Sequence, residues 1–201
     1  MTTQTKTAPP TDAMSVLDAI YQRRSVRHYA ARVPGKRLIG QLLKAAVHAP
    51  TAMHEEPWAF AVIQDKALLD RLSESAKELL RREARGVDTP HAKHTLDLVN
   101  EPEFHVFYQV GTLIVIYSKQ PGPFAAADCW LAAENLLLAA CAEGLGTCVI
   151  GFAVSVLNTP EWKAELNIPP ELTAIAPVIL GWPAGETPPV SRQPPEVLVW
   201  K

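Results

Sequence analysis

Several things are scarce in this chain, and each scarcity excludes something. No apolar run reaches the ~18 residues that a membrane helix needs, so no membrane span or membrane partner is expected. Excess charge is missing: 19 basic against 21 acidic residues leave a formal net charge of −2, which argues against a general nucleic-acid binder. Cysteine is sparse and odd in number. Cys129, Cys141 and Cys148 have no CxxC spacing and sit among apolar or small residues, so they read as buried free thiols of a reducing compartment, the cytoplasm. GxSxG, HExxH and DxDxDG patterns are all absent. The start, "MTTQTKTAPPTDAM", has no apolar core of an export signal and reads as a disordered tail over residues 1–13.

What is present suits one domain over residues 14–201, with 48% hydrophobic and 20% charged residues. Ser15 with Asp18 makes a weak capping box before the apolar face of Val16, Leu17 and Ile20. "KRLIGQLLKAAVHAP" repeats at a helical period until Pro50, and "PWAFAVIQ" reads as a strand. "KALLDRLSESAKELLRREARG" is an amphipathic helix ending at Gly86, and residues 87–105 are polar and ambiguous, a lid or an excursion. "GTLIVIYSK" and "AIAPVILG" are continuous β-forming runs, the mark of strands covered on both faces. "DCWLAAENLLLAACAEGLG" is apolar nearly all round and predicts a buried helix, with Gly144 and Gly146 as left-handed caps. Thr159 and Pro160 form an N-cap and first-turn pair, and "EVLVWK" reads as a last strand. The mixture is α+β.

Three stretches carry chemistry. "YQRRSVRHYAARVPGKR" gathers six basic residues with no acid between them. Taken singly, Arg23 and Arg24 can simply complement a helix C-terminus. As a group they say more: Arg23, Ser25 and Arg27 alternate, so an extended backbone projects all three to one side. Two guanidinium forks flanking a hydroxyl suit a phosphate monoester. "GLGTCVIG" follows a helix and leads into an extended stretch, the wrong order for a dinucleotide or phosphate-binding loop. It reads either as helix capping with a tight turn or as backbone lying close against a flat ligand. "HAPTAMHEEPWAF" leaves a short loop between a helix and a strand. His54, Glu55 and Glu56 are a thin metal set, and the His91–His94 pair lacks a third ligand, so no metal is expected.

In this order the segments "RRSVRHY", "APTAMHEEPWAF", "DCWLAAENLLLAACAEGLGTCVIG" and "SRQPPEVLVW" resemble the nitroreductase family of FMN-dependent oxidoreductases, over about residues 14 to 200. The resemblance implies a mainly antiparallel central sheet flanked by helices. It also implies an intertwined homodimer whose C-terminal strand, near Val197–Trp200, crosses to the partner. Arg23, Arg24, Ser25, Arg27 and Arg192 would hold FMN: Arg23, Ser25 and Arg192 at the phosphate, Arg27 toward the ribityl chain or ring edge, where a cation eases reduction. Cys148, Ile150 and Gly151 would approach flavin N5. Pro50, Thr51, Ala52 and Met53 would cover the partner's FMN, with His54 and Glu56, where the family usually has amides, on the substrate side. The implied activity is ping-pong transfer of hydride from NAD(P)H to nitroaromatic, quinone or similar acceptors, with no obligatory side-chain acid or base. The alternatives are a flavin-binding or flavin-handling protein without reductase activity, and a dehalogenating or oxidative branch of the same fold.

Overall fold

A computed structural model of the chain describes residues 14–201, and the tail expected over residues 1–13 lies outside them. Helix α1 (Val16–Gln22) is capped by Ser15, whose hydroxyl oxygen accepts from the Asp18 amide at 3.1 Å. Among the described residues its apolar side chains find little cover: Val16, Leu17 and Ile20 are exposed and Ala19 is buried. Helix α2 (Lys36–Ala46) buries Ile39, Leu42 and Ala46 and closes in a turn ahead of Pro50. Strand β1 (Trp58–Ile63) follows, then α3 (Lys66–Ala84), capped by Asp65 accepting from the Leu68 amide at 3.1 Å.

The ambiguous stretch over 87–105 contains a regular helix, α4 (Pro90–Asn100), packed on α3. Its start carries the same device as the later Thr159–Pro160 pair: the Thr89 hydroxyl accepts from the Ala92 amide at 3.2 Å, with Pro90 in the first turn. Strand β2 (Leu113–Ser118) and helix α5 (Pro123–Ala142) come next. By length and composition alone α5 is long and apolar enough to cross a membrane, as a core helix also can be, but Asp128, Glu134 and Asn135 interrupt its apolar run. One face of α5 packs on α2 and the sheet, while Phe124, Trp130 and Leu131 stay exposed, so in the single chain the helix is only partly buried.

Gly144 ends α5 in the left-handed region at φ 73°, and the Leu145 N–H closes the turn on the Ala140 carbonyl at 2.8 Å. Gly146 is not a cap; it begins β3 (Gly146–Val149). Two short helices, α6 (Val154–Leu157) and α7 (Pro160–Glu165), lead to β4 (Thr173–Gly181). The strands pair antiparallel throughout in the order β1-β2-β4-β3.

Every residue of β2 is buried, and its side chains alternate between two cores. Leu113, Val115 and Tyr117 join Leu69, Leu72 and Leu157 on one face, while Ile114 and Ile116 join Leu42, Leu136 and Ala140 on the other. A bulge where β4 passes Ile116 and Tyr117 shifts the register and turns Ala174 to the first face, whereas Ala176, Val178 and Leu180 take the second. Helices cover both faces, which is why these strands carry no polar alternation. The last residues, "EVLVWK", form no strand in the single chain; Leu198 and Trp200 are 85% and 91% exposed. Among the described residues this segment pairs with no strand, although β1, at one end of the sheet, is paired on one side only.

Candidate functional site

The basic segment is extended because it is laid across the β3–β4 end of the sheet. Val26 N–H donates to the Thr147 carbonyl at 2.9 Å, Ala30 N–H to Trp182 at 2.8 Å, and Ala184 N–H to His28 at 3.0 Å. Gly146 and Gly181 sit opposite each other in the register of β3 and β4. An added Cβ would lie 2.7 Å from Val26 Cβ at the first and 2.8 Å from Tyr29 Cδ1 at the second. These two glycines therefore make the groove that Val26 and Tyr29 fill. With Val26 buried, Ser25 and Arg27 are exposed on the other side, as the alternation predicts.

Arg23, Arg24, Ser25, Arg27 and Arg192 all line one cavity of about 620 Å³. Four cations and a hydroxyl, drawn from positions 23 to 27 and from the late arm, thus meet around one space. Arg24 also meets the plainer expectation: its Nη1 donates to the carbonyls of Tyr21 at 2.6 Å and Arg23 at 2.8 Å, capping α1. Arg23 Nε stands 3.9 Å from Glu134 Oε1, a long pair that holds it only weakly. His28 and Glu186 line the same cavity and were not singled out from the sequence.

A second cavity of about 270 Å³ adjoins the first through Arg27, which lines both. Cys148, Ile150 and Gly151 form one wall, Tyr108 and Phe152 another. Ile150 N–H is used inside the fold, donating to the Pro177 carbonyl at 2.8 Å. Gly151 is exposed, and a Cβ built there meets nothing within 4 Å, so open space lies over this backbone. Burial pushes the Cys148 thiol above its ordinary value against the opposing pull of Arg27, so it stays a protonated thiol and no nucleophile. Burial likewise pushes Cys129 up to about 11. All three cysteines are free; Cys129 and Cys148 are buried and Cys141 is half-buried.

The loop of Pro50, Thr51, Ala52, Met53, His54 and Glu56 lines neither cavity. It is fastened to α5, where Ala52 N–H is shared between the carboxylate oxygens of buried Asp128 at 3.1 and 3.3 Å. Met53, His54 and Glu56 hold positive φ values of 55°, 57° and 45°. Such backbone costs roughly 1–2 kcal/mol per non-glycine residue and persists only where its surroundings over-determine it. His54 and Glu56 are exposed and make no ion pair with each other among the described residues. The expected site residues thus fall into two groups: eight meet at the two cavities, and six lie on the α5 side.

Sequence reasoning missed Asp128 and Tyr108. Asp128 had a signal, an acid in the first turns of a mostly apolar helix. Tyr108 had a weaker one, the aromatic cluster "FHVFYQVG" just before a buried strand.

Comparison with known proteins bears on the chain as a whole. The sequence model of the nitroreductase family matches residues 20–182. A protein of Archaeoglobus fulgidus named as an NADH dehydrogenase/NAD(P)H nitroreductase is 31% identical over 170 residues, covering 85% of this chain and 86% of its own. The iodotyrosine deiodinase of Thermotoga neapolitana is 28% identical over 193 residues, covering 90% and 95%. The crystal structure of a nitroreductase with bound FMN from Bacteroides fragilis superposes with a TM-score of 0.80 at 25% identity, over 92% of this chain and 98% of that one.

Proposed function

The chain belongs to the nitroreductase family of FMN-dependent oxidoreductases, and from that premise we propose that it takes hydride from NAD(P)H and reduces nitroaromatic, quinone or similar electron-poor acceptors. The observation that carries this reading is the convergence of Arg23, Ser25, Arg27 and Arg192 on one cavity, with the open Gly151 backbone in the next. The donor set fits the group: guanidinium forks and a hydroxyl for a phosphate monoester, and side-chain-free backbone for a flat ring. Bound FMN supplies hydride acceptance and return. The chain's residues supply retention and electrostatics. Arg23, Ser25 and Arg192 would hold the phosphate, with Arg24 at the cavity wall, and Arg27 would set a cation toward the ribityl chain or the ring edge. Cys148, Ile150 and Gly151 keep the hydride face free of obstructing side chains. Nicotinamide and acceptor use one cleft in turn, and no side-chain acid or base is required.

Residues 14–201 act as one FMN-binding unit, and two copies complete it. The six residues of the loop from Pro50 to Glu56 cover the partner's cofactor, with His54 and Glu56 on the substrate side. Two observations support this assembly. Those residues lie away from the chain's own cavities, and apolar side chains on α1, α5 and the terminal arm are exposed, including Leu17, Leu131 and Trp200. The visible spectrum of the purified protein, before and after anaerobic NADPH, tests the reading. Flavin absorption that bleaches supports it; a colourless protein that cannot be reconstituted with FMN overturns it. A second reading, reductive dehalogenation in the same cleft, draws on the likeness to iodotyrosine deiodinase. Turnover of iodotyrosine with quinone reduction absent would favour it.

A further inference from the structure

The turn between α4 and β2 is strained and heavily braced. Tyr108 and Gln109 are consecutive left-handed residues, at φ 51° and 56°. His105 is the main brace. Its Nδ1 accepts from Phe107 N–H at 3.1 Å, and its Nε2 lies 3.1 Å from Asp70 Oδ1 on α3. An Nδ1 that accepts must carry no proton, so Nε2 is the donor to Asp70. Lys66 joins the two ends, donating to Asp70 at 2.9 Å and to Gln109 Oε1 at 3.0 Å. Val106 N–H is held by the buried Ser73 hydroxyl at 2.9 Å.

What this bracing delivers is one ring. Tyr108 walls the second cavity, with the Arg27 guanidinium 5.7 Å from its ring centroid. Phe104 packs edge-on against Tyr108 at 6.0 Å and Phe152 at 6.4 Å, so Tyr108 and Phe152 share one aromatic backing. The remaining wall is mostly apolar, and among the described residues Arg27 is the one charged residue lining it. Such a space favours a flat, uncharged or anionic ring and disfavours a cation.

We propose that Tyr108 is a specificity-determining residue that selects acceptors with an extended flat ring system, and that His105 positions it. This rests on the reading that the second cavity is where acceptors meet the flavin. The charged groups that face His105 are Asp70, Lys66 and Glu74, all on α3. Burial lowers the His105 pKa below its ordinary value, the Asp70 hydrogen bond opposing. A depressed folded value means that the brace is fully present above the ordinary histidine range, about 6.5, and weakens as the pH falls below it.

The experiment compares Tyr108→Ala, His105→Ala and His105→Gln with the wild type on two neutral quinones, menadione and benzoquinone, which differ by one fused ring and one methyl group. Flavin content is read from each visible spectrum. The expected result is that Tyr108→Ala and His105→Ala lower kcat/KM for menadione about tenfold more than for benzoquinone, as loss of an aromatic wall should. His105→Gln, whose amide can both accept and donate, keeps the wild-type preference. The wild type loses that preference as the pH falls below the histidine range, whereas His105→Gln does not. Independently of flavin and turnover, amide hydrogen exchange at Phe107 and Gln109 is faster in His105→Ala and unchanged in His105→Gln. Equal effects on both quinones in flavin-replete Tyr108→Ala overturn the selective role. Unaltered exchange in His105→Ala overturns the positioning role. A wild type that binds no flavin overturns the functional reading, and Tyr108's role with it, while the exchange result still decides for or against His105.

Discussion

The cationic cradle and the Pro50–Glu56 loop are held by opposite means. The cradle is an extended segment docked by ordinary backbone hydrogen bonds into a groove left by two facing glycines, and it places its charges around a cavity within its own chain. The loop is short and strained, with three non-glycine residues at positive φ, and hangs on α5 by one shared N–H to a buried carboxylate. Its side chains line neither cavity. The difference is instructive: the cradle combines reach with gathered charge, whereas the loop combines a fixed backbone with exposed side chains. α5 links the two, since it anchors the loop while exposing apolar side chains.

The largest expected effect breaks the cradle alone. The double variant Arg23→Ala, Arg192→Ala should weaken FMN retention by about 100-fold or more, because each charge-assisted contact is worth roughly 1.5–3 kcal/mol. Flavin-to-protein absorbance after gel filtration measures it, and full retention would count against the phosphate assignment. Next comes the link between the halves. Trp130→Glu with Leu131→Glu puts two charges on the exposed face of α5 and should lower the sedimenting mass to that of one chain. If the loop serves the partner's site, FMN affinity should drop at least tenfold with it, since the covering half is lost. A monomer that binds FMN unchanged would detach the loop from the cofactor.

Smaller effects sharpen the contrast. Gly146→Ala drives a methyl into Val26 and should cost about 1–3 kcal/mol in urea unfolding, with flavin loss following because the cradle is displaced. Asp128→Ala leaves the Ala52 N–H without its partner and should cost about 1–2 kcal/mol. Limited proteolysis between Pro50 and Glu56 should become faster in that variant while the isolated cradle geometry is kept. Equal flavin loss in Gly146→Ala and Asp128→Ala would erase the distinction between the halves.

Much of the fold was legible because its signals are local. The capping residues Ser15 and Thr159, the apolar runs of β2 and β4, and the left-handed Gly144 each act within a few residues of themselves. The Thr89–Pro90 pair was equally local, yet the polar residues around it hid a helix whose buried face is carried by Ala92, Thr95 and Val99 alone. The terminal "EVLVWK" shows the converse: strong strand composition forms no strand where the chain does not bring the segment alongside another strand.

The amino-acid order by itself determined the chemistry of the site: cations alternating about Ser25, glycines at 144, 146 and 151, and a short loop that carries His54 and Glu56. Only the tertiary structure decided which of these residues meet. Arg192 reaches the arginines at 23–27 because the chain folds back after β4, and Asp128 finds Ala52 because α5 lies beside that loop. Such meetings depend on helices and strands packing across long separations in sequence, where burial of apolar faces, and no local preference, sets the geometry.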